Sequence, residues 1–143
     1  MGDDHRLRTS NATNKLAEKI EEAGGYAVAY GDDMMMHETL ASAFLVPNTL
    51  IKLQGGYIPH PDLIHMYMDN QMMDLGRATG GLIYAPDVFV EHMHYTQGKS
   101  EKDAQYEEVN ASPVFQHDEA VYRNWKENLL PDIVKKYKEE YGI

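Results

Sequence analysis

Two short apolar runs constrain the fold of this chain more than any other feature. Residues 26–30 and 88–90 are almost free of polar side chains, and such runs are typical of strands in a sheet that is covered on both faces. Each run leads directly into polar residues, 31–33 after the first and 91–94 after the second. The sequence therefore predicts buried strands with polar side chains at their carboxyl ends, where α/β proteins commonly carry function.

Helical patterns alternate with these strands. Helices are predicted over residues 10–23, 48–54, 69–79, 101–110 and 114–141. Strands are predicted over residues 26–30, 43–46, 82–84 and 88–94. Ser10 is the expected N-cap of the first helix, and Pro131 is expected to start a second segment of the helical tail. Short strands alternating with helices indicate an α/β fold with a mixed sheet, flanking helices and a C-terminal helical tail.

Composition excludes several classes of function. The 143 residues fit one domain, 1–143, and the net charge of −10 argues against nucleic acid as a partner because phosphate contacts need clustered Lys and Arg. The absence of cysteine removes disulfides and thiolate metal sites. No run is long and apolar enough for a membrane span, and no secretory signal is recognisable, so we expect a cytoplasmic protein.

Three groups of residues could bind a divalent metal or a phosphate. Asp3-Asp4-His5 offers two carboxylates and an imidazole, although a solvated N-terminus is the simpler interpretation. Asp32-Asp33 follows a buried strand and could instead cap its own turn. His92 and His94 share one face of their strand, a spacing that allows both to ligate one metal.

A fourth group is suited to acid-base chemistry. Asp69 stands near the start of a predicted helix, in the stretch from His65 to Gly76. A carboxylate in this position can be a helix cap, or it can be a general base if it lies within hydrogen-bond reach of an acceptor hydroxyl.

Taken in order, these segments resemble a known family. They are Gly-Asp-Asp-His-Arg-Leu-Arg-Thr (2–9), Tyr-Gly-Asp-Asp (30–33), His-Met-Tyr-Met-Asp-Asn (65–70) and Tyr-Ala-Pro-Asp-Val-Phe-Val-Glu-His-Met-His (84–94). The set resembles the phage-type glycosyltransferases related to family 2, which have a GT-A fold. The similarity covers nearly the whole chain up to its C-terminal helices.

The resemblance implies an activity and a set of site residues. The activity would be transfer of a hexose-type sugar from a nucleotide-diphosphate donor to an acceptor hydroxyl, in the host cytoplasm if the gene is a phage gene. The residues implied to bind Mn²⁺ or Mg²⁺ are Asp3, Asp4, His92 and His94. Asp3, Asp4 and Asp33 would contact the donor through this cation, and Asp69 would be the catalytic base.

The resemblance also implies that part of the family's domain is absent from this sequence. In the family, Gly-Asp-Asp-His ends a strand that follows the nucleotide-binding half, whereas here Met1 directly precedes Gly2. We therefore expect an uncovered sheet edge, or an exposed apolar patch, and self-association through it. Two alternatives stay open: a metal-dependent hydrolase built on the same Asp and His clusters, and a non-catalytic fragment that acts by association.

Overall fold

The computed structural model describes residues 4–94 and 112–142. Its helices are α1 (Ala12–Glu22), α2 (Asn48–Leu53), α3 (Met68–Ala78), α4 (Ser112–Asn124) and α5 (Leu130–Tyr141). Its strands are β1 (His5–Leu7), β2 (Val28–Asp32), β3 (Phe44–Leu45) and β4 (Leu82–His92). The described part of the chain is mixed α/β, which confirms the predicted class at that level.

The four strands form one mixed sheet in the order β1-β4-β2-β3. The central strands β2 and β4 are parallel, while β1 and β3 pair antiparallel with them at the two edges. Because β2 and β4 run in the same direction, their carboxyl ends meet at one edge of the sheet. The predicted polar residues after both strands are thereby brought together.

Helices cover both faces of the sheet. On one face, α1 buries the evenly spaced Ala12, Leu16 and Ile20 against a group that includes Val88 and Val90. On the other face, α3 packs with α5 and the π-helical segment Trp125–Leu129. This second core contains Val28, Leu50, Leu53, Met72, Leu75, Trp125, Ile133 and Tyr137. The central strand β2 is buried along its whole length, as its apolar sequence predicts.

The structure corrects three local predictions. The N-cap of α1 is Asn11, in a left-handed conformation with φ 55°, and not Ser10. Residues 82–92 form one strand where two were predicted, with an irregularity where Gly31 pairs with Ala85 and the next residue of β2 pairs with Phe89. Phe89 was expected to be buried but is 41% exposed, so β4 alternates at this point.

The irregularity in β4 has a steric origin at Gly31. A Cβ atom at Gly31 would lie 2.5 Å from the carbonyl oxygen of Val88, which no side chain tolerates. Glycine therefore lets β4 bulge over the end of β2. The bulge keeps the ends of both strands side by side although β4 contains extra residues.

The edge of the sheet at β1 lies beside two exposed apolar side chains. Within residues 4–94 and 112–142, no strand pairs with the outer side of β1, and Leu7 (53% exposed) and Phe89 lie nearby. Self-association through this edge stays a prediction. The helix predicted over 101–110 falls outside the described residues. In the described ranges, no helix has the length and apolar character to cross a membrane.

Candidate metal centre

Asp4 and His92 meet at the carboxyl edge of the sheet. The pairing of β1 with β4 sets His5 opposite His92, and the Asp4 carbonyl oxygen accepts a hydrogen bond of 2.8 Å from the Met93 amide. The next backbone contact joins the His92 amide to the Asp33 carbonyl oxygen, also at 2.8 Å. Three chain segments are therefore fixed around this point by main-chain hydrogen bonds.

The side chains of this group lie close enough to share one ion. The Asp4 Oδ2 atom is 3.0 Å from His92 Nε2, and Asp4 Oδ1 is 3.3 Å from His5 Nδ1. The rings of His5 and His92 stack with centroids 4.3 Å apart and planes 15° from parallel. One ligand atom from each of the three residues lies within 4.8 Å of the others. We call these three residues the Asp4 cluster.

Burial favours the neutral forms of His5 and His94. Desolvation, with an added contribution from His92, lowers the pKa of His5, and Asp4 opposes the effect. Desolvation and His92 likewise lower the pKa of His94. A neutral imidazole is the form that binds a metal, because the ligating nitrogen must carry a free electron pair.

The donor set of the Asp4 cluster fits a divalent cation. Two neighbouring ligands of an octahedral ion with bonds of about 2.1 Å are about 3 Å apart, which is the separation of the Asp4 and His92 donor atoms. One carboxylate with two imidazoles is a donor set for a transition-metal ion such as Mn²⁺, Fe²⁺ or Zn²⁺, whereas Mg²⁺ prefers oxygen ligands. Without a bound ion, the same contact between Asp4 Oδ2 and His92 Nε2 is a hydrogen bond.

The other predicted metal ligands stand as follows. His94 is half-buried, with its ring centroid 5.1 Å from that of His92, so it borders the cluster and does not point into an apolar core. Asp3 lies outside the described residues. His5 belongs to the Asp3-Asp4-His5 group predicted as a possible metal site but not to the ligands that the resemblance implies, and the antiparallel pairing that brings it to His92 has no local sequence signal.

Asp33 caps the turn that follows its own strand. Its carboxylate is fully buried, and one oxygen accepts hydrogen bonds from the backbone amides of Met35, Met36 and His37 at 2.7–3.1 Å. The other oxygen accepts a hydrogen bond of 2.5 Å from the Ser42 hydroxyl. The turn-capping alternative therefore describes this carboxylate in the structure, and its part in cofactor binding stays a prediction.

Asp69 lies in the first turn of α3, close enough to His92 and Asp33 for their charges to influence its pKa. Burial raises the pKa of Asp69 to about 6; the Asp33 carboxylate adds to the rise, whereas His92 opposes it. The side chain is half-buried. A carboxylate with such a pKa is divided between its protonated and charged forms near pH 6, which suits a group that exchanges protons.

A second buried carboxylate, Asp118, holds the loop that leads into α3. It accepts hydrogen bonds of 2.7–2.9 Å from the backbone amides of Ile64, His65 and Met66. Because Asp118 belongs to α4, the helical tail fixes the approach to Asp69. Asp118 was not predicted from the sequence, because its hydrogen-bond donors lie more than fifty positions away in the chain.

A cavity of about 370 Å³ lies elsewhere, between α2 and α5. Its lining includes Tyr57, Leu129 and Tyr141, and none of the Asp and His residues discussed above. We place the candidate site at the Asp4 cluster and not in this cavity, because the cluster, unlike the cavity lining, brings an Asp and two His side chains together within electrostatic range of a carboxylate whose pKa is raised.

No protein-family model, curated protein or solved structure matches this chain. Function is therefore inferred from the geometry of the Asp4 cluster and its neighbours.

Proposed function

We propose that this chain carries the metal-binding and acceptor-side part of a GT-A-type glycosyltransferase that moves a sugar from a nucleotide-diphosphate donor to a hydroxyl group. The observation that carries the proposal is the contact of 3.0 Å between Asp4 and His92, two residues 88 positions apart in the chain. With His5 stacked on His92, this contact offers the ligands for a divalent cation.

The cation would supply charge neutralisation for the leaving nucleoside diphosphate. Asp4, His5 and His92 are the residues that would hold it, with His94 and Asp3 as the further ligands implied by the resemblance. The buried carboxylate of Asp33 borders the site, with one oxygen 3.9 Å from His92 Nδ1.

Asp69 supplies the second function that the reaction needs. The acceptor hydroxyl must lose a proton as it attacks the sugar, and a base within hydrogen-bond reach accelerates this step. Asp69 is suited to the role because burial raises its pKa to about 6 and it lies within electrostatic range of His92. Above this pH its unprotonated form predominates.

Turnover of nucleotide sugars tests the proposal. The chain, joined to the nucleotide-binding half that the resemblance implies, is incubated with Mn²⁺ and a panel of uridine- and guanosine-diphosphate sugars, and release of the nucleoside diphosphate is measured with and without hydroxyl acceptors. We expect release that depends on Mn²⁺ and on the acceptor, and that falls as pH drops below about 6 because Asp69 becomes protonated.

Variants separate the two functions of the site. Asp69→Asn should lower turnover about 100-fold while donor binding is kept, whereas the neighbouring exposed residue gives a control, Asn70→Asp, that should retain turnover. Release of free sugar without an acceptor would instead identify a hydrolase. Absence of donor binding to this joined and folded protein in the presence of Mn²⁺ would overturn the proposal.

A further inference from the structure

The turn that follows β2 exposes an unusual set of side chains. Residues 34–37 are three methionines followed by a histidine. Met34 and Met36 are 41% and 37% exposed, and the side chain of His37 is 63% exposed. Methionine is normally used to fill apolar cores, so two exposed thioethers beside an imidazole are not explained by packing.

The imidazole of His37 is fixed in one orientation. Its Nδ1 atom lies 2.9 Å and 3.0 Å from the two carboxylate oxygens of Asp32, which also accepts a hydrogen bond of 2.7 Å from the Tyr84 hydroxyl. Burial alone would raise the pKa of Asp32, but these hydrogen bonds and one from the Met34 amide lower it, so the carboxylate stays charged. A proton on Nδ1 leaves Nε2 as the electron-pair donor on the exposed side.

This arrangement is common around metal-binding histidines. A ligating imidazole usually donates its other N–H group to a carboxylate, which fixes the ring and strengthens the ligand. Asp32 is in the position of that carboxylate. Because Asp32 is itself held by Tyr84, the imidazole is preorganised before any ligand binds.

Two carboxylates hold the backbone of the turn that carries Met34, Met36 and His37. The Met34 amide and His37 Nδ1 bind the same oxygen of Asp32, at 2.7 Å and 2.9 Å. The amides of Met36 and His37 are held by Asp33. Both Met34 and His37 have positive φ values, 61° and 52°, which residues other than glycine adopt at an energetic cost. The carboxylates of Asp32 and Asp33 thus hold a strained turn that carries Met34, Met36 and His37 within four consecutive residues.

We propose that Met34, Met36 and His37 bind a soft monovalent cation of the Cu(I) class. Thioether sulfur selects such ions and is a poor ligand for Mn²⁺ and Mg²⁺, whereas imidazole accepts both kinds of metal. The exposed methionine side chains can turn toward the fixed Nε2 atom because three rotatable bonds separate sulfur from the backbone. The ion is taken up in its reduced state, so binding requires no electron transfer. The ligands of this site are distinct from those of the Asp4 cluster, although Asp33 lies beside both, and the proposal does not rest on glycosyl transfer.

Competition for Cu(I) tests the proposal. The chain is titrated with Cu(I) under anaerobic conditions, with ascorbate present, against a chromophoric Cu(I) chelator. We expect one equivalent to bind, and X-ray absorption spectra to show sulfur neighbours around the copper. The double variant M34L/M36L should bind at least about tenfold more weakly and lose the sulfur signal, because leucine keeps the volume but removes the ligand.

Matched variants locate the binding site. M66L/M68L removes two methionines from another segment and should leave Cu(I) affinity unchanged. H37N removes the imidazole with a residue that tolerates a positive φ, and should weaken binding at least about tenfold. Asp4→Asn should bind Cu(I) as the unaltered chain does. Equal affinity of the chain and M34L/M36L for Cu(I), or an equal loss in M66L/M68L, would overturn the proposal.

Discussion

Asp33 and Asp118 perform the same task over very different distances in the chain. Each carboxylate is fully buried and accepts hydrogen bonds from three backbone amides. The donors to Asp33 lie two to four positions away, in the turn that follows its own strand. The donors to Asp118 lie 52 to 54 positions away, in the loop before α3.

The difference shows what a sequence can reveal about a buried carboxylate. An Asp that caps its own turn follows a local rule, so turn capping was an explicit alternative for Asp33. Asp118 lies inside α4, where its neighbours His117 and Glu119 give no sign of a distant loop. Its role follows from packing, since α4 and the loop at 64–66 meet only in the folded chain.

Removal of the long-range carboxylate should have the largest effect on stability. We expect Asp118→Ala to lower the free energy of unfolding by about 3 kcal/mol, because three amides lose a charged acceptor. Amide hydrogen exchange should accelerate both at residues 64–66 and in α4, since the carboxylate joins the two. Urea unfolding and exchange measured by NMR would check both effects.

The controls compare local and long-range action. Glu119→Ala removes only an exposed pair with Arg123, at 2.9 Å, and should cost no more than about 0.5 kcal/mol. Asp33→Ala should accelerate exchange only around its own turn, at residues 34–42. The comparison fails if Asp118→Ala leaves exchange in α4 unchanged.

The pH dependence of stability gives a smaller, more specific effect. Burial alone would raise the pKa of Asp118, but hydrogen bonds from Ile64, His65, His117 and Met66 hold it at about 2, below the ordinary value of 3.8. A lowered pKa stabilises the folded state above pH 3.8, and this contribution is lost as pH falls from there through about 2. We expect the loss to be about 2 kcal/mol.

Asp118→Asn is the matched variant, since asparagine has nearly the same shape and does not titrate. The difference in free energy of unfolding between the two proteins should shrink between pH 5 and pH 2. Parallel curves over this range would show that the Asp118 carboxylate does not titrate with a lowered pKa.

The sequence predicted most elements of the fold because their signals are local. The helix predicted over residues 10–23 contains Leu16 and Ile20 at helical spacing, and Gly24 and Gly25, which follow it, both adopt positive φ in the structure. The sequence did not predict that residues 82–92 form one strand, because Pro86 and Asp87 are normally breaks. Only the close approach of Gly31 to Val88 explains how β4 continues past them.

The candidate site was predictable in part. The expected meeting of the Asp4 segment with the end of β4 is observed, because β1 pairs antiparallel with β4 and so begins beside the point where β4 ends. The addition of His5 required the antiparallel register of β1, which three residues of sequence cannot specify. The roles of Asp69, His92 and His94 in catalysis and metal binding stay predictions.

The central claim is that the Asp4 cluster binds a divalent cation, and Mn²⁺ titration followed by calorimetry tests it most directly. We expect one equivalent of Mn²⁺ to bind, and Asp4→Asn and His92→Gln each to weaken binding at least about tenfold. Asp62→Asn and His117→Gln remove similar groups from other Asp–His pairs and should bind as the unaltered chain does. Unchanged affinity in Asp4→Asn and His92→Gln, or no Mn²⁺ binding by the folded chain, would contradict the account.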